Sequence, residues 1–189
     1  MGLLMVAGEI LVGLSLGFVL QLSFAAPVIA AEVIGGAMGM SMATSVDPNS
    51  GTNSPALGQY FTVVLTVIFL ALGGHMQWFA LVIESYNVFP PGQTWLGAEK
   101  LADVAGFASG MFLTAVAIAL PVTLVLLVVQ VVTGVLSRSA PALNLFALGL
   151  PAGVIAGIAA LIVSAPLLTD QMTDLSTNAL SEVRSVLVK

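Results

Sequence analysis

The sequence predicts an all-α membrane protein, a polytopic bundle of long kinked helices and helical hairpins. Of the 189 residues, 59% are hydrophobic and only 7% are charged, whereas a soluble globular protein carries about 25% charged residues. The mean hydropathy of +1.12 arises from long apolar segments rather than from scattered residues. These segments do not alternate with the period of two expected of membrane β-strands, so we expect helices.

The first two apolar segments, Ile10 to Ala26 and Pro27 to Ala43, follow each other without a polar break. Proline inside a helix removes a hydrogen bond and bends the helix. We therefore predict one long bent helix over residues 1 to 45, in preference to two independent spans. At about 1.5 Å per residue it would reach about 65 Å, more than the thickness of a bilayer. Its intramembrane polar residues are Gln21 and Glu32.

Three further apolar segments, Ala56 to Ile83, Val104 to Leu136 and Ala142 to Leu168, contain no formally charged residue. Each can cross a bilayer core, which needs about 20 helical residues. We assign residues 1–168 to a helical membrane domain on this basis.

Residues 169–189 differ in pattern, because apolar side chains recur there at three- and four-residue steps. This period predicts an amphipathic C-terminal helix that lies on the membrane or on a neighbouring subunit. Its apolar face consists of Leu168, Met172, Leu175, Ala179, Val183 and Val186.

The residue counts argue against several classes of function. Four Lys and Arg residues and a net charge of -5 do not suit nucleic acid, which requires clustered cations. The single histidine, His75, and the lack of cysteine exclude multi-histidine and thiolate metal sites. No G-x-S-x-G nucleophile motif is present. We predict no enzyme activity and no cofactor; an intramembrane enzyme would need a nucleophile near His75.

Small residues at four-residue spacing mark the end of the second apolar segment. On a helix they form one smooth stripe against which a second helix packs closely. Methionines flank the stripe and either fill gaps or form a compliant seal around a pore. The stripe consists of Ala31, Gly35, Gly39 and Ala43.

Glu32 is an ionisable residue in an apolar span, which is costly and indicates a function. One reading is a polar contact between subunits, and another is a carboxyl near the membrane interface. The alternative from a different class is an ion-coupled small-molecule transporter that uses Glu32 as its coupling site. The sequence shows no internal repeat of the kind typical of transporters.

Several motifs follow one another in a fixed order along essentially the whole chain. They are GLSLGFVLQLSFAA (Gly13 to Ala26), AEVIGGAMGMSMATSVDP (Ala31 to Pro48), SPAL (Ser54 to Leu57), LTVIFLALGGH (Leu65 to His75) and LSRSAPALNLFALGLP (Leu136 to Pro151). This ordered set resembles the FliR family, export-gate membrane proteins of the flagellar type III secretion apparatus with relatives in virulence-type injectisomes. The last motif matches the Arg-x-Ala-Pro turn and following polar residue of the family at Arg138, Pro141 and Asn144.

The resemblance implies a structural and gating subunit of a multi-subunit export gate in the bacterial inner membrane, at the flagellar basal body. Its partners would be FliP-like, FliQ-like, FlhB-like and FlhA-like subunits, the lipid bilayer and unfolded flagellar proteins in transit. Family members usually carry further hydrophobic segments before the equivalent of Met1. The turn at Arg138 would lie at the cytoplasmic end.

The resemblance also implies that the segment around the Asp-Pro turn points inward as part of the plug that closes the channel. The family often has aromatic residues before this turn, where this chain has Met42 and Ser45. The plug and gate candidates by position are Met42, Ser45, Val46, Asp47, Pro48 and Asn49.

Overall fold

A computed structural model describes residues 2–40, 56–90, 98–139 and 145–187, and the regular elements in these ranges are all α-helices. The helices are α1 (Gly2–Ala37), α2 (Ala56–Ala71), α3 (Gly74–Val88), α4 (Ala98–Ser139) and α5 (Leu145–Leu187). Three of them, α1, α4 and α5, are long and apolar enough to cross a membrane, and the pair α2 and α3 provides a fourth crossing if counted as one span. The predicted all-α class is confirmed.

Helix α1 is continuous through Pro27, as the sequence predicts. Its 36 residues extend over about 54 Å, and Pro27 is fully buried within the bundle. The prediction is wrong at the C-terminal end, because α1 ends at Ala37 rather than continuing toward residue 45. The reason is local: Gly39 has φ 83°, which an α-helix cannot contain.

The segment Ala56 to Ile83, predicted as one span, is divided between two helices. The axes of α2 and α3 differ by 71° across the short break between Ala71 and Gly74. Gly73 has φ 70° at this break, a left-handed conformation that glycine adopts without strain. Hydropathy is uninterrupted across the break and so does not reveal it, because hydropathy reports the polarity of a segment and not the direction of its backbone.

Helix α5 is one element of 43 residues, despite Pro151 and Pro166 inside it. The predicted boundary at residue 168 therefore falls within a continuous helix. Proline at these positions bends a helix without ending it when tertiary packing holds both sides.

The apolar side chains predicted to share one face of the tail are all buried. Its partner differs from the prediction, however. Val183 and its apolar neighbours on α5 pack in one cluster with Val12 and Leu16 of α1 and Leu81 of α3. The face is therefore covered by this chain's own helices.

Helix α1 holds the bundle together, because it contacts α2, α4 and α5. Ala30 and Ile34 are fully buried against Ile118 and Val122 of α4 in the larger hydrophobic cluster. Small side chains such as alanine allow helix backbones to approach closely, which favours this packing in an apolar surrounding.

The outer surface of the bundle is also apolar. On α4, Leu113, Leu127 and Val131 are 74%, 58% and 60% exposed. A continuous apolar surface of this kind requires lipid or other subunits to cover it. The exposed face of α4 is therefore consistent with a membrane protein.

Candidate functional site

The candidate plug residues lie within 41–55, outside the described residues. This range follows directly on the end of α1. The part of the candidate site that the structure describes is therefore the end of α1, residues 37–40, with the side chains and backbone around it.

Helix α1 ends through a change in its backbone hydrogen bonds. The amide of Met38 still donates to the carbonyl oxygen of Ile34 at 2.8 Å, whereas the amide of Gly39 donates to Gly36 at 3.0 Å. Gly39 then takes the left-handed conformation, which is a common way for a helix to end.

The end of α1 is held by a side chain from a different helix. Nε2 of Gln130, on α4, donates a hydrogen bond to the carbonyl oxygen of Ala37 at 2.8 Å. The last carbonyls of a helix have no partner within that helix, and in an apolar surrounding an unpaired carbonyl is expensive. Gln130 therefore supplies a donor at a position where the backbone of α1 cannot.

Met38 is held on its other side by α5. Its side chain is only 4% exposed and lies over two glycines, Gly153 and Gly157. A Cβ atom at Gly153 would be 2.9 Å from the carbonyl oxygen of Met38, and a Cβ atom at Gly157 would be 2.5 Å from its Cγ atom. We call these two glycines the glycine notch.

The predicted stripe of small residues is only partly helical. Ala31 is buried and Gly35 half-buried on α1, but Gly39 lies beyond the helix end, and Ala43 lies outside the described residues. A methyl group at Gly35 would meet nothing within 4 Å, so no other described helix packs closely against it. One continuous helical stripe through Gly39 is therefore not what the structure shows.

Sequence reasoning missed the glycine notch on α5, although the same signal was available. Gly153 and Gly157 are four residues apart in PAGVIAG (151–157) and fall on one helix face. Gln130 was also missed, since a single glutamine in an apolar span does not reveal its partner.

The predicted polar residues of α1 are on its outer surface. Gln21 and Glu32 are both exposed, and no described side chain forms an ion pair with Glu32. Arg138 is exposed in the last turn of α4, while Pro141 and Asn144 lie outside the described ranges.

His75 lies in the first turn of α3, beside the bend, and its Nδ1 atom is buried without a hydrogen-bond partner in the described part of the chain. A separate cleft of about 380 Å³ lies between α4 and α5, lined by Gln171, Asp174 and Glu182 among others. The described residues contain no group of acids and histidine arranged to hold a metal ion.

Comparison with known proteins gives consistent matches. A model of the family described as "Bacterial export proteins, family 1" matches residues 1–179. The flagellar biosynthetic protein FliR of Escherichia coli K12 is 34% identical over 160 residues, which are 85% of this chain and 61% of the relative. FliR of Bacillus subtilis 168 is 32% identical over 158 residues, 82% of this chain and 61% of the relative.

A relative with a different name matches as well. The surface presentation of antigens protein SpaR of Shigella flexneri is 33% identical over 142 residues, 75% of this chain and 55% of the relative. The chain thus spans about three fifths of the length of the FliR proteins it matches.

Proposed function

This chain belongs to the family of bacterial export proteins, family 1, and on that premise we propose that it is a structural and gating subunit of a type III protein-export apparatus. The observation that carries the proposal is the match of the family over residues 1–179, which includes every helix of the bundle except the last turns of α5. Its similarity to FliR and SpaR proteins connects it to flagellar and virulence export.

The physical character of the bundle supports a subunit that works within an assembly. Helices α4 and α5, at 42 and 43 residues, are each about 64 Å long, roughly twice the thickness of a bilayer core. A helix of this length that crosses the membrane upright extends beyond the hydrocarbon region, and the exposed apolar face of α4 is available to other subunits. The proposed partners are the FliP-like, FliQ-like, FlhB-like and FlhA-like subunits.

Within this proposal, the segment after α1 closes the channel. The support is the resemblance of the Asp-Pro turn to the family's plug, together with the anchored end of α1 from which the segment begins. The residues proposed for the plug are Met42, Ser45, Val46, Asp47, Pro48 and Asn49.

The proposed location is the bacterial inner membrane, at the flagellar basal body or its virulence counterpart, with Arg138 at the cytoplasmic end. The cargo would be unfolded flagellar or secreted proteins in transit. A passive channel subunit has no bond to make or break, so the proposal includes no enzyme activity.

Nothing in the structure favours the transporter alternative. Ion-coupling carboxylates face a bundle interior or a water-filled cavity, whereas Glu32 is exposed on the surface of α1. We propose instead that Glu32 meets a polar or cationic group of a neighbouring subunit. Its replacement by Gln would then weaken recovery of the assembled complex, and normal assembly with altered ion-coupled flux would contradict this assignment.

The function is tested in the native host with a tagged copy of the chain. We expect membranes solubilised in mild detergent to yield the chain together with the other export-gate subunits, and deletion of its gene to stop secretion of export substrates. Recovery of the chain alone, from cells that contain assembled export gates, would overturn the proposal.

The plug is tested separately by shortening Asn49 to Asn53. We expect cells that carry the assembled complex to take up a membrane-impermeant small solute faster than cells with the native chain. An unchanged uptake in an assembled complex would remove the plug assignment and leave the subunit assignment intact.

A further inference from the structure

We propose that Gln130 and the glycine notch are positioning residues that fix the end of α1 relative to α4 and α5. Their role in sealing rests on the proposed function, because it matters for export only if the segment after α1 closes a channel. The fixation itself is a property of this chain and is tested without export.

The hydrogen bond of Gln130 differs from those of the hydroxyl side chains around it. Thr123 and Thr133, also on α4, donate to carbonyls of their own helix. Gln130 instead reaches a carbonyl 93 residues away in sequence, at 2.8 Å. A polar side chain in an apolar helix is retained at a cost, and here it donates to the carbonyl of the last residue of α1.

Gln171 on α5 provides a natural comparison. It also donates between helices, to the carbonyl oxygen of Ala117, but at 3.4 Å. Ala117 lies in the middle of α4, where the helix already supplies a donor to that carbonyl. The bond from Gln130 is thus made to the last residue of a helix, whereas the bond from Gln171 is made to the middle of one.

The two glycines of the notch act on different parts of Met38. A Cβ atom at Gly153 would meet the backbone oxygen of Met38, and backbone cannot move away without moving the end of α1. A Cβ atom at Gly157 would meet the side chain of Met38, which is flexible and can adopt another rotamer. Gly153 therefore sets the distance between α1 and α5, whereas Gly157 leaves room for one side chain.

These contacts approach the end of α1 from two helices. Gln130 holds Ala37 on the side of α4, and Gly153 permits the close approach of Met38 on the side of α5. The chain therefore leaves α1 at a point fixed to both helices.

The first test combines alanine substitutions in the notch with Met38→Ala. We expect Gly153→Ala to raise solute uptake several-fold in cells with the assembled complex, and Met38→Ala not to reverse the increase, since the clash is with backbone. We expect Gly157→Ala to have a smaller effect that Met38→Ala reverses. Gly36→Ala is the matched control, because a Cβ atom there meets nothing within 4 Å.

The second test measures the end of α1 directly, by amide hydrogen exchange of the purified full chain in detergent. Gln130→Leu should accelerate exchange of the amides of Met38 and Gly39 by about fivefold, the effect of one net hydrogen bond. Gln171→Leu, the same substitution at a bond in the middle of a helix, should leave these amides unchanged.

The outcomes separate the inference from the proposed function. Faster exchange with Gln130→Leu supports the fixation even if no variant leaks and the plug assignment fails. Equal exchange in the native chain and Gln130→Leu would overturn it, as would rescue of Gly153→Ala by Met38→Ala. If Gly153→Ala prevents assembly, the exchange measurement on Gln130→Leu decides.

Discussion

Two glycine turns in this molecule share one backbone geometry and differ in what surrounds them. At the end of α1, Gly39 has φ 83° and its amide donates to Gly36 at 3.0 Å; at the end of α2, Gly73 has φ 70° and its amide donates to Leu70 at 3.0 Å. A glutamine side chain donates to a late carbonyl in each case. The backbone conformation and the local hydrogen bonds that end the helix are therefore alike in both places.

The difference is the origin of the contacts. At the end of α2 the donor is Gln77, five residues along the chain from Leu72, with an N–O distance of 3.5 Å. The ring of Phe69, on α2, lies over Gly74 and stands edge-on to Phe24 at 5.4 Å between centroids.

At the end of α1 the donor comes from α4 and the close approach comes from α5. The turn between α2 and α3 is thus set mainly by residues next to it, while the end of α1 is set by the packing of the whole bundle. A change in the packing of α4 or α5 should therefore alter the end of α1 before it alters the turn between α2 and α3.

The largest expected effect is at the local turn. Gly74→Val would place its side chain into the ring of Phe69, whose nearest atom is 2.5 Å from the position of a Cβ atom. Overpacking of this kind costs about 3 kcal/mol, and we expect a clearly lower thermal unfolding midpoint of the purified chain in detergent. Gly110→Val is the matched control, because its Cβ atom would meet nothing within 4 Å. Equal midpoints for the two variants would show that Phe69 does not hold the turn.

The next effect compares the two left-handed glycines themselves. Gly39→Ala and Gly73→Ala should each destabilise the chain by about 1–2 kcal/mol, the cost of a left-handed conformation for a residue with a Cβ atom. Similar losses in the unfolding midpoint would confirm that both turns depend on a glycine in the left-handed conformation. A loss at only one position would show that the other turn relaxes to a different conformation.

A smaller effect separates the two glutamines. Both bonds are exposed, but Gln130→Leu removes a 2.8 Å bond and should cost about 1 kcal/mol, whereas Gln77→Leu removes a 3.5 Å contact and should cost less. The unfolding midpoints of the two variants, measured side by side in one detergent, test this order. The reverse order would contradict the view that only the end of α1 depends on its glutamine.

The smallest effect concerns the ion pair that connects α3 with α5. Arg184 and Glu84 approach to 3.9 Å, and their side chains are 66% and 45% exposed. Such a pair contributes below about 1 kcal/mol, so Arg184→Gln should leave the unfolding midpoint nearly unchanged at moderate salt. A large loss would mean that the position of α3 depends on this long-range contact, and not mainly on the residues next to the turn between α2 and α3.

Features that depend on neighbouring residues could be predicted from the sequence. The continuity of α1 through Pro27 follows from a local pattern and is confirmed, and the apolar residues around Val183 are spaced as one helical face, although the sequence did not indicate which helices would cover it. The resemblance implied a helix that ends at the Gly-His pair of LTVIFLALGGH, but the 71° bend at Gly73 does not follow from hydropathy, which continues across it.

The features that fix the candidate site are long-range and could not be predicted in the same way. The partner of Gln130 is 93 residues distant and is specified only once α1 and α4 are packed together. The spacing of Gly153 and Gly157 was visible, but not that Met38 would lie over it. The proposed plug residues remain a prediction from resemblance.

The continuity of α5 has a mechanical consequence. Near its beginning it contacts Met38, at the C-terminal end of α1, and near its end it packs against Val12, toward the N-terminal end of α1. Helix α5 therefore runs along α1 and contacts it near both of its ends. A displacement of α5 relative to α1 would therefore disturb contacts near both ends of α1, and not near one end alone.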